Sequence, residues 1–192
     1  MTTQANTQNN TDTKDATPLQ TLLAELAEAK RLEREAGEAY RDLNDADKAG
    51  SQEEKRIAQA HLALRVKGQQ VRDSFAALVQ VGDPVTRSGY SECHAGYVIQ
   101  INEARTKLVM QDGNARLLNG ANSGEPDALH FSPGGFCGHT SGTQRWEITP
   151  NPNGRLHIFT LRKNGRWIET GLAHNQGKPL CAGHHHHHDF NF

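Results

Sequence analysis

Around Val79 the chain changes its texture, and that change constrains the fold more than any other feature. Before it, Leu19, Leu22, Leu26, Ala29, Ala36, Tyr40 and Leu43 recur mostly at three- and four-residue steps, and Ile57, His61, Leu64, Gly68, Val71, Phe75 and Leu78 then alternate steps of four and three. Such spacing gathers apolar groups on one stripe of a helix, and the second set is a heptad seam that wants a partner. After it, short alternating runs are punctuated by Gly, Pro and Asn, the pattern of strands joined by turns. The expectation is an α+β protein, with an N-terminal antiparallel helical hairpin followed by a small, mainly antiparallel, barrel-like β domain.

Capping chemistry sets the boundaries. Thr17 as N-cap, Pro18 in the first turn and Gln20 closing a capping box predict a helix that runs to about Lys48. Gly50 and Ser51 break it, and Ser51 with Glu54 repeats the signature. Residues 1–17 read as a disordered tail, because Met1 is their only strongly apolar side chain and burial cannot offset the ordering entropy. Residues 18–78 then form the hairpin, and 79–192 the Gly- and His-rich domain that carries the function.

Within that domain, Tyr97 to Ile101 and Lys107 to Met110 read as strands that pair, with a turn at Asp112-Gly113-Asn114. Arg145 to Thr149, Arg155 to Arg162 and Arg166 to Thr170 read as a meander. Its turns fall at Pro150 to Gly154 and at Lys163-Asn164-Gly165, where Asn-Gly supplies the positive φ of a tight hairpin. The connection from Leu118 to Thr143 is long and irregular, and such loops in compact domains are functional or disordered. Its stretch from Pro133 to Gly142 sets reactive side chains among glycines, which favours function.

Charge and cysteine content narrow the classes. A net charge of -1 gives no global pull toward nucleic acid, so attraction to phosphate must come from a local cluster. Three cysteines without a CxxC pair argue against a disulfide framework and fit a reducing compartment. The first residues lack the basic start and apolar stretch of a secretory signal, and no apolar run approaches the ~18 residues of a membrane span. A cytoplasmic protein with no membrane partner is expected.

Histidine is the outlier, and ten of the eleven lie beyond Val79. His61 is set aside as a structural seam residue. His139 is the first candidate, lying between Gly138 and Thr140-Ser141 with Gln144-Arg145 just downstream, and His94 beside Cys93 follows it. The run His184 to His188 reads as a native surface stretch that binds metal only adventitiously. Each cysteine has a histidine close by, so Cys93, Cys137, His139 and Cys181 form the one conceivable zinc set, against which the absent CxxC spacing counts. Ser141 lacks a G-x-S-x-G elbow, which argues against acyl transfer. Trp146, Trp167 and Phe159 read first as core of the meander.

Several stretches carry a resemblance. Val81-Gly82-Asp83, His94-Ala95-Gly96, Pro133-Gly134-Gly135-Phe136, His139-Thr140-Ser141-Gly142-Thr143-Gln144-Arg145, Gly183-His184-His185 and Asp189-Phe190-Asn191-Phe192 together resemble a family of small, largely uncharacterised bacteriophage proteins. The likeness covers most of the chain from Val81 onward and leaves out the hairpin. In that family the C-terminus reads approximately Gly-Arg-His-Glu-Tyr-Tyr-Asp-Tyr-Asn-Phe, which places the family histidine on His185 and makes the length of the run incidental. The opening Gly82-Asp83-Pro84-Val85-Thr86 also resembles the start of a barrel of the Src-homology-3 type, an analogy of fold alone.

The resemblance implies a phage accessory factor for host takeover or anti-defence, working in the host cytoplasm. The side chains add a narrower expectation, metal-independent cleavage of nucleic acid or a cyclic nucleotide. His139 and His185 serve as base and acid and Arg145 steadies the phosphoryl oxygens, with His94 in reserve. Thr140, Ser141 and Gln144 would bind the ligand, with no cofactor unless zinc is held. Two alternatives stay open: a non-catalytic module binding a nucleotide, nucleic acid or host defence component, and a virion-associated structural protein that oligomerises through the hairpin.

Overall fold

The computed structural model describes residues 16–48, 50–119, 131–132, 139–140, 144–172 and 176–188, with only the backbone of 45, 46, 131, 132, 139 and 140. Most of the N-terminal tail, most of the Leu118 to Thr143 connection including Cys137 and Ser141, and Asp189 to Phe192 lie outside the described residues. The fold is α+β: two long helices pack against each other and are followed by an antiparallel sheet that curls into a half-barrel.

Helix α1 spans Pro18–Arg41, and its predicted capping box is complete, with Thr17 Oγ1 accepting the Gln20 N–H and Gln20 Oε1 accepting the Thr17 N–H. It stops earlier than Lys48. Asp42 forms the C-cap, and after Leu43-Asn44 a single turn, α2 (Asp45–Lys48), follows, so the run of short Asx side chains, which compete for backbone hydrogen bonds, ends the long helix. Helix α3 (Gln52–Leu78) starts at Ser51, whose Oγ accepts the Glu54 N–H, while Glu54 reaches back to the Gly50 N–H. His61 is mostly exposed rather than sealed in a seam, with Nδ1 3.3 Å from Glu33 of α1.

Strands β1 (Pro84–Ser88), β2 (Cys93–Ile101) and β3 (Lys107–Asp112) are consecutive neighbours, and β4 (Asn114–Leu117) leaves the main sheet after Gly113. A short ribbon joins β5 (Phe131–Ser132) to β6 (His139–Thr140). Then come β7 (Trp146–Thr149), β8 (Leu156–Leu161), β9 (Trp167–Glu169) and β10 (Cys181–Ala182). The main sheet has the order β10-β1-β2-β3-β8-β9, and β4 pairs with β7 in a second sheet.

The expected meander is therefore only half present. β8 and β9 form the hairpin, with Gly165 at φ 75° as the Asn-Gly turn requires, but β7 pairs with β4 and β8 with β3. Pro150 to Gly154 is a crossing between sheets, not a hairpin turn. Gly154 is needed there for another reason: a Cβ would sit 2.0 Å from the Asp112 carbonyl oxygen.

One core joins hairpin and sheet. Leu19, Val71, Phe75 and Val79 pack with Val85, Val98, Leu108, Met110, Phe159 and Trp167, each such side chain contributing about 1.5–3 kcal/mol on burial. Two polar ties fix the angle between the layers. Buried Asp83 accepts from Thr17 Oγ1 (2.6 Å), Gln20 Nε2 (3.1 Å) and the Gln80 N–H (2.8 Å), joining the start of α1 to the entry of β1. Arg105, at φ 50° in the β2–β3 loop, donates through Nη2 to the Ala77 and Val79 carbonyls at the C-terminus of α3, where a cation suits the helix dipole.

Candidate functional site

Alternation along the strands puts Arg87, His94, Gly96, Asp112 and His157 on the same face as Val85, Val98, Met110 and Phe159. The apolar members lie under the helices, and the polar members continue that face toward the opposite end of the strands. His157 is buried, with Nε2 3.2 Å from Asp112 Oδ2 and Nδ1 3.2 Å from Glu169 Oε1. Asp112 Oδ1 and Arg87 Nε are both buried without a hydrogen-bond partner.

The histidine run docks onto this end. From β10 the Gly183 N–H donates to the Pro84 carbonyl, and buried Thr86 ties the next residues by donating to the Gly183 carbonyl (2.7 Å) and accepting the His185 N–H (2.8 Å). His187 then exchanges both backbone hydrogen bonds with Cys93 at the start of β2. Gln144 secures the end, its Nε2 donating to the His188 carbonyl and its Oε1 accepting the His188 N–H and the Trp146 Nε1–H.

An extended segment sends alternate side chains to opposite sides. His184 meets the Tyr97 ring edge-on at 4.8 Å, with Nε2 3.0 Å from the Gly96 carbonyl. His186 meets Trp146 edge-on at 4.6 Å, stands 6.1 Å from the His94 ring, and accepts the Ala95 N–H at Nδ1. That acceptance requires an unprotonated Nδ1, so the proton of the neutral ring sits on Nε2. His188 Nδ1 lies 2.6 Å from Glu92 Oε1, and the other oxygen of Glu92 lies 3.4 Å from His94 Nε2. Glu92 thus stands between two imidazoles, with a third beside them.

Burial is the main reason that His94 and His186 hold their protons less tightly than a free imidazole. The charge of Arg87 adds to it at His94, and the neighbouring rings of His94 and His188 add to it at His186, while Glu92 and Asp112 oppose it at both. His184 is lowered by burial against the opposing pull of the Gly96 carbonyl, and His185 by burial and then Lys30. At neutral pH these rings are neutral, able to accept a proton at one nitrogen and donate from the other.

His94 belongs to the cluster. His185 does not: its Nε2 lies 3.2 Å from the Ala182 carbonyl and its ring turns toward the helices. Gln144 is engaged by the tail. Arg145 is exposed, on the opposite side of the β7 ladder from Trp146. The side chains of His139, Thr140 and Ser141 lie outside the described residues. Of the zinc set, Cys93 places Sγ 3.8 Å from Ser88 Oγ, and burial pushes the Cys181 thiol up, whereas Cys137 and the His139 side chain are not described. Among the described residues no three His, Cys, Asp or Glu side chains are arranged to share a metal ion.

Glu92, His186, His188 and Arg87 are the members that sequence reasoning missed, and Trp146, read first as core, is instead half-buried against His186. The spacing Glu92-Cys93-His94 and the alternation inside a five-histidine run entering a strand are the signals that could have found them. No family model matches the chain, and neither a curated protein nor a solved structure matches it closely enough to set beside it.

Proposed function

We propose that the protein cleaves phosphodiesters of nucleic acid or cyclic nucleotides by histidine acid–base chemistry, as a phage accessory factor of host takeover or anti-defence. The observation that carries the reading is the Glu92 carboxylate 2.6 Å from His188 Nδ1, with His94 and His186 alongside. A carboxylate on one ring nitrogen holds the tautomer whose other nitrogen can take a proton, and it steadies the imidazolium that results.

In this reading His188 Nε2 takes the proton of the attacking water or ribose hydroxyl as the new P–O bond forms. The bond to the leaving oxygen breaks as that oxygen takes a proton from His94, which enters the cycle through the minor imidazolium fraction that its lowered proton affinity leaves at neutral pH. His186 Nε2–H and the positive charge of half-buried Arg87 bear on the phosphoryl oxygens. Proton transfer by a positioned side chain contributes about 10² to 10⁴ in rate. His94 moves from reserve to the centre, and Arg87 takes the part first given to Arg145. His139 stays a candidate on the sequence reading alone, its side chain lying outside the described residues.

The test is incubation of the full chain with RNA, single-stranded DNA and cyclic di- and trinucleotides, with and without chelator, resolved by chromatography. Chelator-insensitive product from at least one of them is expected. Intact substrate throughout, retained or not, would move the reading to the binding module.

A further inference from the structure

Away from the histidine cluster, a groove of about 1040 Å³ runs between the hairpin and the β9–β10 side of the sheet. One wall carries Lys30 of α1 with Arg65 and Arg72 of α3, the other carries Arg166, and Asp73 is the one carboxylate among the lining residues. That is a strong local excess of positive charge in a chain whose net charge is -1. Lys30, Arg65 and Arg166 make no ion pair among the described residues, and Arg72 donates only to the neutral Gln69. Unpaired cations on facing walls concentrate an anion, because the low-dielectric walls focus the field between them.

The floor is apolar. Gly68 of α3 contributes no side chain, and a Cβ there would lie 3.4 Å from Arg72 Nη1 and 4.0 Å from Leu26 Cδ1, so the glycine leaves Leu26 and Leu64 open to the groove. Cavities of about 300–1,000 Å³ with an apolar floor and a few charged groups are typical of small-molecule sites. His185 also lines the groove.

We propose that this groove binds a nucleoside diphosphate, with its phosphates between Arg65, Arg72, Lys30 and Arg166 and its base on Leu26 and Leu64. Four cations against one carboxylate match the roughly three negative charges of a diphosphate near neutral pH. A half-buried Gly68 in mid-helix, costly in helix propensity relative to Ala, has its use in keeping that floor clear. The site is separate from the Glu92 cluster and does not depend on the cleavage reading.

Calorimetric titration of the full chain with ADP and GDP, and with adenosine as the probe lacking phosphate, tests it. Both diphosphates bind, adenosine binds at least about tenfold more weakly, and raising the salt weakens the diphosphates. Arg65→Glu and Arg166→Glu each weaken ADP at least about tenfold. Gly68→Leu, which fills the floor while favouring the helix, removes binding, and circular dichroism confirms that it folds. His188→Gln binds ADP like the parent, which separates this site from the cleavage centre. No heat with either diphosphate at millimolar concentration, adenosine binding equal to ADP, or undiminished binding in both arginine variants would overturn the proposal.

Discussion

The side-chain amide of Gln144 pairs with the main chain of His188 in both directions, donating from Nε2 to the carbonyl and accepting the N–H at Oε1. A side chain here does the work of a neighbouring strand. It holds the last described residue of the tail where Glu92 can reach its ring.

Removing that clasp frees the tail without unfolding the sheet. Gln144→Ala leaves two backbone groups and the Trp146 indole N–H without their partner, a loss of about 1–3 kcal/mol confined to the tail. Hydrogen exchange at 183–188 accelerates while that of β2 and β3 stays unchanged. Equal slowing or speeding of both would show that the tail is not a separate opening unit.

Acid should weaken the fold. His94, His184, His185 and His186 are all lowered from the ordinary value of 6.5, so the unfolded chain binds protons more readily than the native one. Their contribution is present above pH 6.5 and is lost as pH falls from there toward the lower native values. Denaturant unfolding at pH 8, 6.5 and 5 checks this: the midpoint falls only slightly over the first interval and more steeply over the second. A midpoint that rises toward pH 5 contradicts it.

Asp83 ties hairpin to sheet, so its loss is felt globally. Asp83→Ala strands Thr17 Oγ1, Gln20 Nε2 and the Gln80 N–H and costs about 2–4 kcal/mol, read as a lowered Tm. Asp83→Asn keeps an acceptor and loses less. Equal Tm values for the two variants would show that the acceptor oxygens matter little.

Arg105 tests whether a left-handed residue is kept for its side chain. Arg105→Gly relieves the φ of 50° yet removes the donor to the end of α3, and the lost bonds outweigh the relief by about 1 kcal/mol. A Gly variant more stable than the parent in urea melts contradicts that order.

What the chain discloses before folding follows from the range of each interaction. The starts of α1 and α3 were legible because Thr17 with Gln20 and Ser51 with Glu54 act within one turn. The β2–β3 pairing was legible from two alternating runs close in sequence. The partner of β7 was not, since the β4 strand it chose lies across a long connection, and a run with two prolines and Asn-Gly resembles a hairpin turn whichever sheet it enters. The candidate site failed for a related reason. A string of identical histidines carries no periodic contrast, so His185 and His186 could not be told apart until Thr86 and Cys93 fixed the direction in which each ring points.

In the proposed mechanism Glu92 arms His188 for proton transfer beside His94. Cleavage of an RNA substrate by the parent, Glu92→Gln and His188→Gln proteins under single-turnover conditions tests it most directly. His188→Gln is expected to lower the rate by about 10² to 10⁴, and Glu92→Gln to give a smaller loss with unchanged substrate affinity. Parent-like rates in the His188→Gln protein would contradict it.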